Sequence, residues 1–486
     1  MKKNLGVCFL FITIAFCKNS FGQNKCGFVN ETGKEIIKPI YEDAKDFSEG
    51  LAPVKLDGKW GFIDKAGQVV IPFQYSDVST FREGYAFTCK AGEDCKYIDK
   101  SGKVAINTAY TGGYRFYDGI AVVSQKGLWG AIDKTGREVI PIKYETVNNY
   151  SEGVFGVKLN GLMGFVDNKG NSITPVKYKK ITPFMNGAAW AFLKDDRFAD
   201  MFLITREGEK IAVHGQPGNF APIGIAVVGY DPKDPYFLVT KSGRIIKGQD
   251  GNNFEWVGPY TDGMIPVRDK TSAYFIDLNG NVLSKKKYSS VNAYYDGVAW
   301  VSDLTDASAY GGEPFYGIDK NEKAITDKYG RFDHFSEGLA AVKKDDKWGF
   351  INTKGKMVIK AKYDEVENFT NGFAEVKINE KWGYINTSGK EITKMKYSTT
   401  QPFCNGFAQV GDFSNNRGYI NTAGDEIIPI RYDSFSEDCI NNGIVWAKEN
   451  SLFIILDASG KPVTGFRYIK HHRFYDGMAL VVRERN

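Results

Sequence analysis

The chain repeats itself. Trp60-Gly61-Phe62-Ile63-Asp64 is followed by Lys65-Ala66-Gly67, Val69-Val70-Ile71-Pro72, Tyr75 and Phe81-Arg82-Glu83-Gly84. The position of Trp60 returns from Cys26 through Trp129, Trp348 and Trp382 to Phe453, which makes 13 units spaced 33–42 residues apart, most by 34 or 35. A period of that length implies small modules that bury their apolar surface only against one another. It excludes any fold that depends on one long, non-repeating core.

Each recurring position has a physical reading. Asp or Asn opens the turn after the first strand in 11 of 13 units, and Gly closes it in 12, with Glu322 as the exception. Asx accepts a backbone N–H two residues on, and Gly tolerates positive φ, so the pair predicts a hairpin with a bulge. Tyr stands eight residues after that Gly, as at Tyr41, Tyr75 and Tyr363. A large ring with a polar tip suits an inter-unit core whose hydroxyl reaches a backbone partner. A second Gly, from Gly50 to Gly477, is present in all 13 units, which implies a backbone position closed to a Cβ. Two residues later Ala stands in 10 of 13 units, a sign of close approach by the next layer. Asp57-Gly58, Lys126-Gly127 and Asn160-Gly161 are type I′ hairpin tips. The unit therefore reads as three antiparallel strands, at 59–64, 68–72 and 85–90 in the first full copy, the third hairpinning into the next unit. No helical periodicity competes.

With those residues in view, Lys59-Trp60-Gly61-Phe62-Ile63-Asp64, Lys347-Trp348-Gly349-Phe350-Ile351-Asn352 and Lys381-Trp382-Gly383-Tyr384-Ile385-Asn386 resemble the WG repeat family of bacterial β-repeat proteins. The resemblance covers residues 26–481. It implies an all-β scaffold, exported or envelope-associated, with no catalytic residues to carry over. The expected fold is an open, solenoid-like stack of about 13 three-stranded units of 34–35 residues, because 13 exceeds the usual 4–8 propeller blades and no strand is left over to complete a split blade. Two propellers joined near 200–235 are the alternative. The divisions are a signal peptide at 1–22, WG-type repeats at 23–200, degenerate repeats with insertions at 201–314, including a loop from Asp303 to Pro314, and WG-type repeats at 315–486.

Residues 1–22 have the layout of a secretory signal: Lys2 and Lys3, an apolar run from Leu5 to Phe16, and Ser20-Phe21-Gly22 before Gln23. A lipoprotein anchored through Cys17 is disfavoured by Phe16, which stands where a lipobox takes a small residue. The expected location is the periplasm, the outer membrane or the exterior. The charge is +5 for the whole chain; removing Lys2, Lys3 and Lys18 leaves 5 − 3 = +2, which gives no footprint for nucleic acid. No later stretch reaches the length of a transmembrane helix.

Reactive chemistry is sparse. No Cys-x-x-Cys, His-Glu-x-x-His, Gly-x-Ser-x-Gly or phosphate-binding loop occurs, so no catalytic, cofactor or metal residue is assigned. The histidines His214, His334, His471 and His472 read as surface residues. Cys89 and Cys95 flank a hairpin tip, Cys404 and Cys439 occupy adjacent units, and export permits both pairs to form disulfides, with Cys26 outside them. Glu49, Glu83, Glu152 and Glu337 read as solvated turn acids. The residue three after the invariant Gly varies most and includes Trp190, Trp300 and Trp446, which are expected to help line a partner-binding face. The functional expectation is a non-enzymatic exported scaffold for a protein or an envelope polysaccharide. The alternative is a glycan-binding or carbohydrate-active protein with its site in the degenerate middle, around Asp195, Asp196, Asp231, Asp234 and Glu255.

Overall fold

The computed structural model describes residues 24–484, apart from 195–199, 215, 219–220, 222–223, 232–233, 304–313 and 438. The proposed signal peptide, Cys17, Asp195, Asp196 and nearly all of the Asp303–Pro314 loop lie outside the described residues. Among the described residues every regular element is a strand, and the strands form 13 small antiparallel sheets of three or four strands each.

The first complete sheet runs in the order Asp43–Ala44, Leu51–Leu56, Lys59–Asp64, Val69–Tyr75. The expected strands are present, but the third strand of a unit, here Tyr85–Cys89, joins the next sheet, and a two-residue strand is added at one end of the order. Local chemistry sets the turns as expected. Asp64 Oδ1 accepts the N–H groups of Ala66 and Gln68 at 2.9 and 2.8 Å, Gly67 sits at φ 81°, and the pairing shifts register between Trp60 and Ile63. Where Gly is replaced, Glu322 itself adopts φ 62°. Asp57-Gly58 has φ of 48° and 75°, the signature of a type I′ tip. The edge strand at the other end of the order carries Pro39, Pro72, Pro141 and Pro429, which lack an N–H and so blunt edge-to-edge pairing.

The two glycine positions differ in cause. A Cβ on Gly61 would meet the Ile71 carbonyl oxygen at 2.7 Å, so the Trp-Gly motif needs glycine for space. A Cβ on Gly50 or Gly372 would meet nothing within 4 Å. Contrary to the expectation from sequence, space does not close this position to a Cβ; glycine is favoured there by its φ, 88° at Gly50, directly after Glu49 at 54°. The expectation for the tyrosine tips also changes. Tyr178 and Tyr288, each held by an isolated bridge, donate their hydroxyls to the carboxylates of Glu209 and Glu322, and among the described residues the hydroxyls of Tyr363, Tyr397 and Tyr468 meet no hydrogen-bond partner.

Closure is the main correction. The last strand, Met478–Glu484, pairs antiparallel with the first, Asn24–Asn30, in seven consecutive residue pairs from Asn24↔Glu484 to Asn30↔Met478. Thirteen apolar clusters each join one sheet to the next, and one of them, holding Cys26, Phe28, Leu480, Ala52 and Val54, packs the sheet shared by the first and last strands on the sheet of residues 43–75. The sheets are therefore blades of one propeller-like ring. The open solenoid is not what forms; the propeller alternative fits, in a single ring of 13 instead of two. An open stack would leave two blade faces wet, and joining them removes that apolar surface from water.

Candidate functional site

In a ring every blade is sandwiched, and that decides the fate of the variable column. Ala52 and Val54 pack toward the preceding blade, Leu51 and Phe62 toward the following one, so both faces of the sheet are core. Trp190, Trp300 and Trp446 are accordingly buried, at 2%, 2% and 3% exposure. They do not form a partner-binding face. Trp190 and Trp300 donate Nε1–H to the carbonyls of Gly218 and Asp333 on the next blade, at 3.1 and 3.0 Å. Trp446 stacks on His471 with centroids 4.1 Å apart.

The turn acids do more than meet solvent. Glu49 Oε2 accepts the N–H of Gly84 at 3.0 Å, Glu83 that of Gly119 at 2.9 Å, and Glu337 that of Gly372 at 2.9 Å. Each carboxylate reaches the same glycine one blade on. Asp262 and Asp296 act alike on Gly297 and Gly338, and Asp476 accepts from Gly50 across the seam. The carboxylate clasps the N–H groups of a type I′ tip, a charge-assisted bond. Lys134 and Lys65 lie 3.0 Å from Glu83 and Asp476. Burial pushes both acids up, but the lysine and the backbone N–H outweigh it and hold each below the usual carboxylate range. Their stabilisation is present above the unfolded-state pKa and is lost as pH falls through the lower folded-state value. Thermal midpoints should therefore drop on acidification below about pH 4, and replacing Glu83 and Asp476 by Gln and Asn should flatten that drop. A pH series of melts checks this.

Cys89 is bonded to Cys95 and Cys404 to Cys439, while Cys26 is a buried thiol at the seam. Alkylation of denatured residues 23–486 before reduction should label one cysteine, and intact mass counts the labels; five would exclude both bonds. Of the histidines read as surface residues, His334 is exposed. His471 and His472 are half-buried: His471 Nε2 meets Ser436 Oγ at 2.8 Å, burial holding its pKa down at about 4, and His472 Nδ1 lies 2.9 Å from Asp46 across the seam. The His471 ring is covered by Trp446 and Phe453 of the adjoining blade. The His214 side chain lies outside the described residues.

A half-open pocket of about 460 Å³ lies between the blades of residues 365–386 and 399–432. Glu375, Glu367, Trp382, Thr400 and Gln401 are among the residues lining it. Glu375 is 4% exposed and burial, reinforced by Glu367, raises its pKa to about 7; its own N–H opposes the shift. Sequence reasoning placed Glu375 in the variable column without assigning it a role. The signal was there: an ionisable residue where other units carry Trp. In the degenerate middle, Glu255 is exposed with Arg268 at 3.6 Å, and the side chains of Asp231 and Asp234 lie outside the described ones. Among the described residues no three His, Cys, Asp or Glu side chains gather as they would around a metal ion. Nor is any helix long and apolar enough to cross a membrane.

Glu375 also gives a pH signature of opposite sign to the clasps. A carboxyl raised from 4.5 to about 7 contributes stability fully below 4.5, and the contribution is lost as pH rises through about 7. The Glu375→Gln protein should lack that downward slope in a urea series between those pH values.

Comparison with known proteins places the repeat. The family described as WG containing repeat matches at residues 27–60, 60–93, 97–129, 129–162, 163–196, 275–303, 318–348, 348–382, 382–411 and 418–453. No curated protein matches the chain. Among solved structures, a eukaryotic initiation factor is similar with a TM-score of 0.33 and 10% identity, over 76% of this chain and 100% of that one. BamB from Moraxella catarrhalis is similar with a TM-score of 0.27 and 10% identity, over 63% of this chain and 93% of that one. Both likenesses are slight.

Proposed function

The chain belongs to the WG containing repeat family, and from that premise we propose that it is a non-enzymatic, exported scaffold that binds a protein or a cell-envelope polymer. The observation that carries the reading is the closed ring of 13 blades, with turn acids and variable tryptophans alike committed to holding blades together. Repeated modules present many similar loops around two rims, a geometry suited to extended partners. Export is supported by the signal-like residues 1–22 and by two disulfide bonds, which persist in oxidising compartments.

The test is affinity capture on the immobilised mature ring from a fractionated envelope of the source cells, with mass spectrometry and soluble-sugar competition. Saturable recovery of one protein or polymer supports the scaffold. Turnover of an envelope glycan by the purified ring, or absence of any saturable partner, overturns it.

A further inference from the structure

Trp300 shows what the junction between two blades looks like when it is filled. Its indole stacks on Phe332 with centroids 4.5 Å apart and donates to the Asp333 carbonyl. In the pocket junction the equivalent of Trp300 is Glu375, each three residues after the invariant Gly. The equivalent of Phe332 is Thr400, each three residues before a buried Phe, Phe335 or Phe403. Gln401 corresponds to Asp333: its N–H donates to Gln409 O at 3.0 Å, as that of Asp333 does to Ala341 O at 2.8 Å. Its carbonyl takes the hydroxyl of Tyr384 at 2.7 Å in place of an indole. Where that junction holds two rings, this one holds Glu375 and Thr400, and both side chains line the pocket.

What fills the wall is a buried acid without a counter-ion. Among the described residues the Glu375 carboxylate has no cation beside it and accepts no hydrogen bond from another residue. Lys377 is spent on Glu365 and Glu380, at 3.0 Å each, and lies 5.6 Å from the Trp382 ring centroid. Glu367, exposed beside the same space, adds a second negative charge. A carboxylate taken out of water and left unpaired is costly, and a cation restores the balance. An indole wall adds attraction for such a group, and the threonine hydroxyls offer acceptors for N–H donors.

We propose that this pocket binds an organic cation, an ammonium or guanidinium head held between Glu375 and Glu367 beside Trp382. The head belongs either to a free amine or to a basic side chain of a protein docked on the ring. The site stands on its own geometry, so it survives if envelope capture fails, and its failure leaves the scaffold reading intact.

The mature ring, at pH 8, is titrated with n-butylammonium, n-butylguanidinium, n-butanol and cellotriose, followed by tryptophan fluorescence and calorimetry. The two cations are expected to bind and butanol is not. Glu375→Gln should weaken cation binding by about tenfold or more. Glu375→Trp should abolish it while melting at or above the parent temperature, because Trp already occupies the matching position in three blades. A blocked Gly-Lys-Gly peptide, against its Nε-acetylated form, separates the sources: tighter binding than butylammonium assigns a protein side chain, equal or weaker binding a free amine. Cations binding no better than butanol, cellotriose binding in their place, or unchanged binding in folded Glu375→Gln would each overturn the proposal.

Discussion

Leu480→Asp is expected to unfold the ring as a whole, not merely to fray its last blade. Leu480 is fully buried in the closing strand, opposite Phe28, in the cluster that packs the shared first-and-last sheet on its neighbour. Losing its apolar contacts costs about 2–5 kcal/mol. A carboxyl in their place must be buried unpaired or protonated, at a further cost of some kcal/mol. The location makes the loss global. In other blades the equivalent strands, such as Leu51–Leu56 and Lys59–Asp64, form one covalent hairpin. At the seam the same pairing is held only by non-covalent contacts, including Asp476 on Gly50 and His472 on Asp46. Once it opens, two apolar blade faces and two strand edges are wetted together. Hydrogen exchange read by mass spectrometry should show protection lost in all blades. Loss confined to residues flanking the seam would mean that the stack behaves as if open. The converse test joins Glu484 to Asn24 through an Asp-Gly tip and opens the chain at Asp57-Gly58. Since Asn24 already faces Glu484, that permuted chain should keep the fold and gain stability at the seam.

The blade was legible from sequence because its demands are local. Asp64 with Gly67, and Asp57 with Gly58, specify turns within a few residues, and the backbone obeys them. Closure was not legible in that way, since an open stack and a ring make the same demands on each module. The cue lay in the phase of the repeat. Every third strand hairpins into the next unit, so a chain that starts on a first strand and ends on a third carries the two halves of one hairpin. The site suffered from the same omission. In an open array a variable column suggests an exposed face; in a ring it lies between blades, which is why Trp190 and Trp446 are core and Glu375 stands over a pocket. The clasps were hidden because the interchange of Glu, Asp and Asn reads as surface tolerance, although all three tolerate the left-handed backbone there and the carboxylates reach an N–H one blade away.

Trp300→Ala should cost about 3–5 kcal/mol, the range for emptying a buried aromatic site. The ring is 2% exposed, stacks on Phe332, and meets Tyr329 edge-on at 6.1 Å. Its loss also strips the Asp333 carbonyl of its indole donor, adding about 1 kcal/mol where water does not replace it. Trp446→Ala is the matched comparison. Among the described residues its Nε1 has no hydrogen-bond partner, so truncation orphans no acceptor, and its cost should fall below that of Trp300→Ala despite similar burial. Urea denaturation with an unchanged slope would read both as differences in stability. The Trp300→Ala ring should also take up added indole and recover part of its midpoint, because the surrounding cluster of Val298, Phe335, Ala340 and Val342 leaves the void apolar. A loss of less than about 1 kcal/mol, or no response to indole, would mean that the blades close over the gap. Glu375 would then no longer need a departed ring to account for the space before it.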